Sequence, residues 1–128
     1  MARTLSDDVF NFIVSHIHSV EELEVLLILQ GEPTRSWTAH EVDERIRSHP
    51  GSIAQRLAGL STIGLLEASG DRYRFSPNTP ELAATAAALL AAYRSRRIEV
   101  IETIFTKPKR ELVSFSNAFK LKGGKGNG

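Results

Sequence analysis

Ser52, Gln55 and Arg56 fall within five residues of one another, and Arg72 and Arg74 alternate a short distance downstream. A Gln amide can pair with adenine and an Arg guanidinium with guanine, each through two hydrogen bonds, while alternate arginines on a strand suit phosphate oxygens. The last 22 residues add Lys107, Lys109, Arg110, Lys120, Lys122 and Lys125 beside a single acid, Glu111. Such a cluster binds phosphates with an affinity that falls steeply with salt. Lys107, Lys109 and Arg110 are therefore placed with Ser52, Gln55, Arg56, Arg72 and Arg74 as candidate contacts to double-stranded DNA. The bland alternative is a solvated helix face and a solubilising tail, since Arg56 is the only cation in its stretch and Ala54, Ala58 and Gly59 offer no side-chain donors.

Other chemistries find little support. His16 and His18 are two apart, which on a helix sends them to different faces and argues against a shared metal. Asp7 with Asp8 and Asp43 with Glu44 are adjacent and do not converge on one point. Gly123-Gly124-Lys125-Gly126 has no helix after it to cradle a phosphate, and no serine elbow is present. The chain has no Cys, which excludes disulfides, thiolate zinc sites and cysteine nucleophiles. No enzymatic activity, metal or cofactor is expected.

The chain has 128 residues, 41% of them hydrophobic, and a formal net charge of +1. That length fits one domain with a single core, here residues 1–106, followed by a basic tail over 107–128. The net charge hides an asymmetry. Residues 1–34 carry −5, 35–78 carry +1, 79–106 are neutral, and 107–128 carry +5. An acidic head repels phosphates, so it is expected to point away from a duplex. The apolar runs are too short to cross a bilayer. Met1 to Asp8 lacks the basic-then-apolar order of an export signal, which makes a cytoplasmic location the expectation.

The elements that hold these residues follow from caps and periodicity. Ser6-Asp7-Asp8 starts a helix to about His16, with Val9, Phe10, Ile13, Val14 and Ile17 as its stripe. Ser19 with Glu22 forms a capping box for a helix to Gln30, buried through Leu23, Leu26, Leu27 and Leu29. Thr38 with Glu41 starts a third helix with Val42 and Ile46 inward. His49-Pro50-Gly51 reads as a turn, and a fourth helix runs from about Ser52 past Leu60 on Ile53, Leu57 and Leu60. Leu65-Leu66-Glu67 and Tyr73-Arg74-Phe75 flank Ser69-Gly70-Asp71 as a hairpin. Thr79-Pro80-Glu81 opens a helix that nothing breaks before Phe105, roughly 39 Å at 1.5 Å per residue. Along it Leu82, Ala86, Leu89, Tyr93, Val100 and Ile104 recur at near-heptad spacing, a seam for pairing with a second copy, and the intervening alanines allow close approach. Beyond Pro108, Leu112, Phe115 and Phe119 share one helical face and could anchor on a protein partner or on the protein itself.

Two helices joined by a short turn, with a basic hairpin directly after the second, resemble the winged helix-turn-helix of MarR-like bacterial regulators. The residues that carry the resemblance are Thr38-Ala39-His40-Glu41-Val42, the spacing of Ile53, Leu57 and Leu60, and Ile63-Gly64-Leu65-Leu66-Glu67 leading into Gly70-Asp71-Arg72-Tyr73-Arg74-Phe75. It covers residues 37–77. The resemblance implies a mainly α fold with a small β-hairpin, a winged helix with additional N-terminal helices and a long C-terminal helix. It implies a DNA-binding transcriptional regulator acting as a homodimer through residues 80–105. Winged helices also serve as protein-protein interaction modules without sequence-specific DNA binding, the alternative function. Trp37 either packs in the core or lines an effector pocket.

Overall fold

Short polar side chains set the helix starts. A computed structural model describes residues 5–106. Ser6 Oγ accepts from the Val9 N–H at 3.2 Å to open α1 (Asp7–His16). Ser19 Oγ accepts from the Glu22 N–H at 3.0 Å to open α2 (Val20–Gly31). Here the expected box is altered, because the Glu22 carboxylate accepts from the His18 N–H at 2.8 Å. The reciprocal box is complete on α3 (Ala39–Ile46), where Thr38 Oγ1 accepts from Glu41 and Glu41 accepts from the Thr38 N–H.

The turn expected at His49-Pro50-Gly51 is instead the first turn of α4 (Pro50–Ile63). His49 is the N-cap, its Nδ1 accepting from the Gly51 N–H at 3.1 Å. Pro50 sits at the first helical position, where a missing N–H is no loss and a fixed φ is an advantage. Strands β1 (Leu66–Ser69) and β2 (Arg72–Phe75) then pair antiparallel, Leu66 opposite Phe75 and Ser69 opposite Arg72. Gly70 supplies the positive φ, 63°, at the turn between them. Trp37 adds a third, one-residue rung, exchanging N–H···O bonds of 2.8 Å in both directions with Tyr73.

The single helix expected over 80–105 is two helices. α5 (Pro80–Ser95) and α6 (Arg97–Phe105) are separated by Arg96, whose φ of −138° and ψ of 50° leave the helical region. The break falls at the polar step between Tyr93 and Val100. There a straight helix would carry Arg96 and Arg97 across the seam, and the kink lets both halves turn their apolar residues onto α1, which packs against α5 and α6. Ala86, Leu89, Val100 and Ile104 are accordingly buried in the chain's own core, with Leu82 and Tyr93 half-buried against it. Four of the six residues expected to form a dimer seam are thus buried within the chain. Gln30 of α2 reinforces the arrangement by donating to the Ala86 carbonyl at 2.9 Å.

One core joins these elements, from Val9, Phe12, Ile13 and Ile17 through Leu23, Leu26 and Leu29 to Ile53, Leu57 and Leu60. Phe12, not Phe10, is the buried aromatic of α1; it lies over the helix turn with its ring 5.2 Å from that of His16. Among the described residues the fold is mainly helical with one two-stranded hairpin, and no helix is long and apolar enough to cross a membrane. Lys107, Lys109, Arg110, Leu112, Phe115 and Phe119 lie outside the described residues.

Candidate functional site

The candidate residues are delivered by α4 and by β2, in two clusters. On α4, Ile53, Leu57 and Leu60 face the core. That leaves Gly51, Ala54, Gln55, Ala58 and Thr62 exposed along the opposite side, with Ser52 and Arg56 half-buried on the flank. The outward face therefore carries no charged side chain. Gln55 is the one residue of the sequence-derived set on α4 that faces solvent.

Ser52 and Arg56 converge on a carboxylate of α2. Glu21 Oε1 accepts from Ser52 Oγ at 2.5 Å and from Arg56 Nε at 2.9 Å, while Oε2 accepts from Ser48 Oγ. These donors, the two serine hydroxyls foremost and Arg56 after them, hold the Glu21 carboxyl below its ordinary value against a smaller opposing effect of burial. Glu21 thus takes up the donors of Ser48, Ser52 and Arg56 together. It is a partner of Ser52 and Arg56 that sequence reasoning missed, because the pairing with Arg56 spans 35 positions and leaves no local pattern.

Arg72 and Arg74 point from β2 into a cleft of about 310 Å³ shared with Ser36, Glu67 and Ser69. Each is already engaged. Arg72 donates to the Ser36 carbonyl at 3.2 Å and to Glu41 Oε1 at 3.4 Å. Arg74 is ion-paired across the hairpin with Glu67. Glu41 is also the Thr38 partner in the α3 capping box; the Thr38 N–H, with Arg72 and Arg35 in support, holds its carboxyl below the ordinary value.

Trp37 is fully buried and packs in the core. The Arg35 guanidinium lies 3.7 Å and that of Arg45 4.9 Å from its ring centroid, close enough for cation–π attraction. Both arginines are in turn held by Glu32, at 3.7 and 3.4 Å. Among the described residues no three His, Asp or Glu side chains gather in a way that could hold a metal ion.

Residues 5–106 contain nine arginines, no lysine and fourteen carboxylates, a net −5. The helix and strand expected to present cations thus sit on an acidic body with their own cations matched. Compared with protein-family models, curated proteins and solved structures, the chain matches none.

Proposed function

We propose that the chain is a winged-helix module that binds a protein partner through the outward face of α4 and the adjoining hairpin. The order α2, Trp37 rung, α3, three-residue turn, α4, hairpin supports the winged-helix reading, with α4 in the recognition position and β1–β2 as the wing. One observation carries the choice of partner: each arginine of α4 and of the wing is met by a carboxylate of the same chain. A duplex would have to displace Glu21, Glu41 and Glu67 and approach a body of net −5. A protein surface can instead lie on the small, uncharged face of Ala54, Gln55 and Ala58, with the Arg–Glu pairs forming a polar rim. A cytoplasmic location, the expectation from the sequence, goes with this reading.

A DNA-binding bacterial transcriptional regulator, acting as a homodimer, is the second reading. It is favoured by the cleft that gathers Arg72, Arg74, Ser36 and Ser69, because exposed ion pairs are weak, about 0–1 kcal/mol, and phosphates can exchange into them. The two readings separate on mixed duplex fragments at about 50 and 200 mM salt. The protein-binding module shows the same retention for the wild type, Arg56→Ala and Arg72→Ala. A regulator loses most of its retention in both variants, and sedimentation shows it as a dimer.

A further inference from the structure

Between α2, α3 and the end of α5 lies an open groove of about 320 Å³, lined by Glu24, Leu27, Ile28, Arg45, Ile46 and Tyr93. We infer that this groove is the seat of the chain's own segment 109–122, with Leu112, Phe115 and Phe119 on its apolar floor and the flanking cations against Glu24. The inference does not depend on whether the wing binds protein or DNA.

The chemistry of the groove selects such an occupant. Leu27, Ile28, Ile46 and Tyr93 are only partly covered by the core they rest on, so an apolar segment gains by removing them from water. The two charged residues at the rim are not equivalent. Arg45 is committed to Glu32 at 3.4 Å and to the Trp37 ring, whereas Glu24 makes no ion pair with any described residue. The rim therefore offers one unmatched negative charge beside an apolar floor. Segment 109–122 pairs three large apolar residues at helical spacing with Lys109, Arg110, Lys120 and Lys122. On the larger scale, a body of −5 is joined to a tail of +5, which favours a seat within the chain.

Reach sets the register. The Arg97 guanidinium lies 5.3 Å from the centroid of the Tyr93 ring, so α6 departs from the edge of the groove. Its nine residues are about 13 Å long, the greatest distance the tail has to cover to come back. Pro108, which lacks an N–H, favours a change of direction there. Residues 107–111 span about 17 Å when extended, so Leu112, the first large apolar residue of the tail, is also the first able to lie over Tyr93 again.

The test places a photo-crosslinking phenylalanine analogue at Phe115 in the full chain, mixed with an equal amount of ¹⁵N-labelled chain, and maps the products by mass spectrometry. The expected products lie within one chain, on Leu27, Ile28, Ile46 or Tyr93. Their yield drops several-fold in Glu24→Lys, whose far-UV circular dichroism matches the parent, and falls at about 0.5 M salt, where the Debye length shrinks to a few ångströms. Products joining labelled to unlabelled chains overturn the inference in favour of a second copy. Products on the exposed Ile98 and Phe105 of α6, a yield no higher than from the same probe at exposed Ala83, or an unchanged yield in Glu24→Lys also overturn it.

Discussion

The arginines around α4 and the hairpin differ from those at the junction of α5 and α6. Arg56, Arg72 and Arg74 each rest on a carboxylate drawn from elsewhere in the fold, Glu21, Glu41 and Glu67. Arg94, Arg96 and Arg97 make no ion pair with any described residue, and Arg97 only stacks near Tyr93. Cation content alone would rank the two regions alike, with three arginines each. Geometry separates them, because the first set stitches elements together and the second leaves its charge to solvent. The positive charge open to a partner therefore lies toward the C-terminal end, where the lysines of the sequence also gather.

The largest test of this contrast concerns the helices beneath the free arginines. Leu89→Ala removes a fully buried side chain from α5 and is expected to cost about 2–5 kcal/mol. Because most of the seam is buried within the chain, its urea midpoint is expected to stay the same over a hundredfold range of protein concentration. A midpoint that climbs with concentration would restore the pairing of two copies through that seam. Next, Glu21→Ala strands a half-buried Arg56 with Ser48 and Ser52, and is expected to cost about 1–3 kcal/mol in urea unfolding.

The same carboxylate sets a smaller, pH-dependent effect. Folding holds the Glu21 carboxyl below its ordinary value of 4.5, so the stabilisation is fully present above that value and is lost as pH falls through the folded-state value. Thermal melts are expected to drop below pH 4.5 in the wild type and to be flatter there in Glu21→Gln. Smallest are the exposed pairs. Arg72→Ala and Arg74→Ala each cost at most about 1 kcal/mol, and Arg94→Ala with Arg96→Ala stays within about 0.5 kcal/mol. If the second pair destabilised more than the first, the division into stitching and free arginines would fail.

What the sequence disclosed was local. Ser6, Ser19, Thr38 and Thr79 cap the helices they were expected to cap, since an N-cap needs only a hydroxyl and an N–H three residues on. The hairpin follows in the same way from Gly70 between two short apolar runs. The kink at Arg96 was hidden because neither Gly nor Pro marks it; its sign was the polar step in the seam, which packing on α1 resolved by bending. The clamp on Arg56 was hidden for another reason. Glu21 reads as an ordinary first-turn acid on α2, and only the packing of α2 against α4 turns it into the partner of a residue 35 positions away.

Gly64 ends α4 at a φ of 106°, and a Cβ there would stand 2.6 Å from the Asn78 side chain. Its carbonyl accepts from the Asn78 N–H at 2.9 Å, and that of Leu65 accepts from the Ser76 N–H at 2.9 Å. The two ends of the hairpin are thereby buckled together immediately before α5 begins. The hairpin is consequently no free flap: its two ends are tied to each other at the foot of α4, next to the first turn of α5.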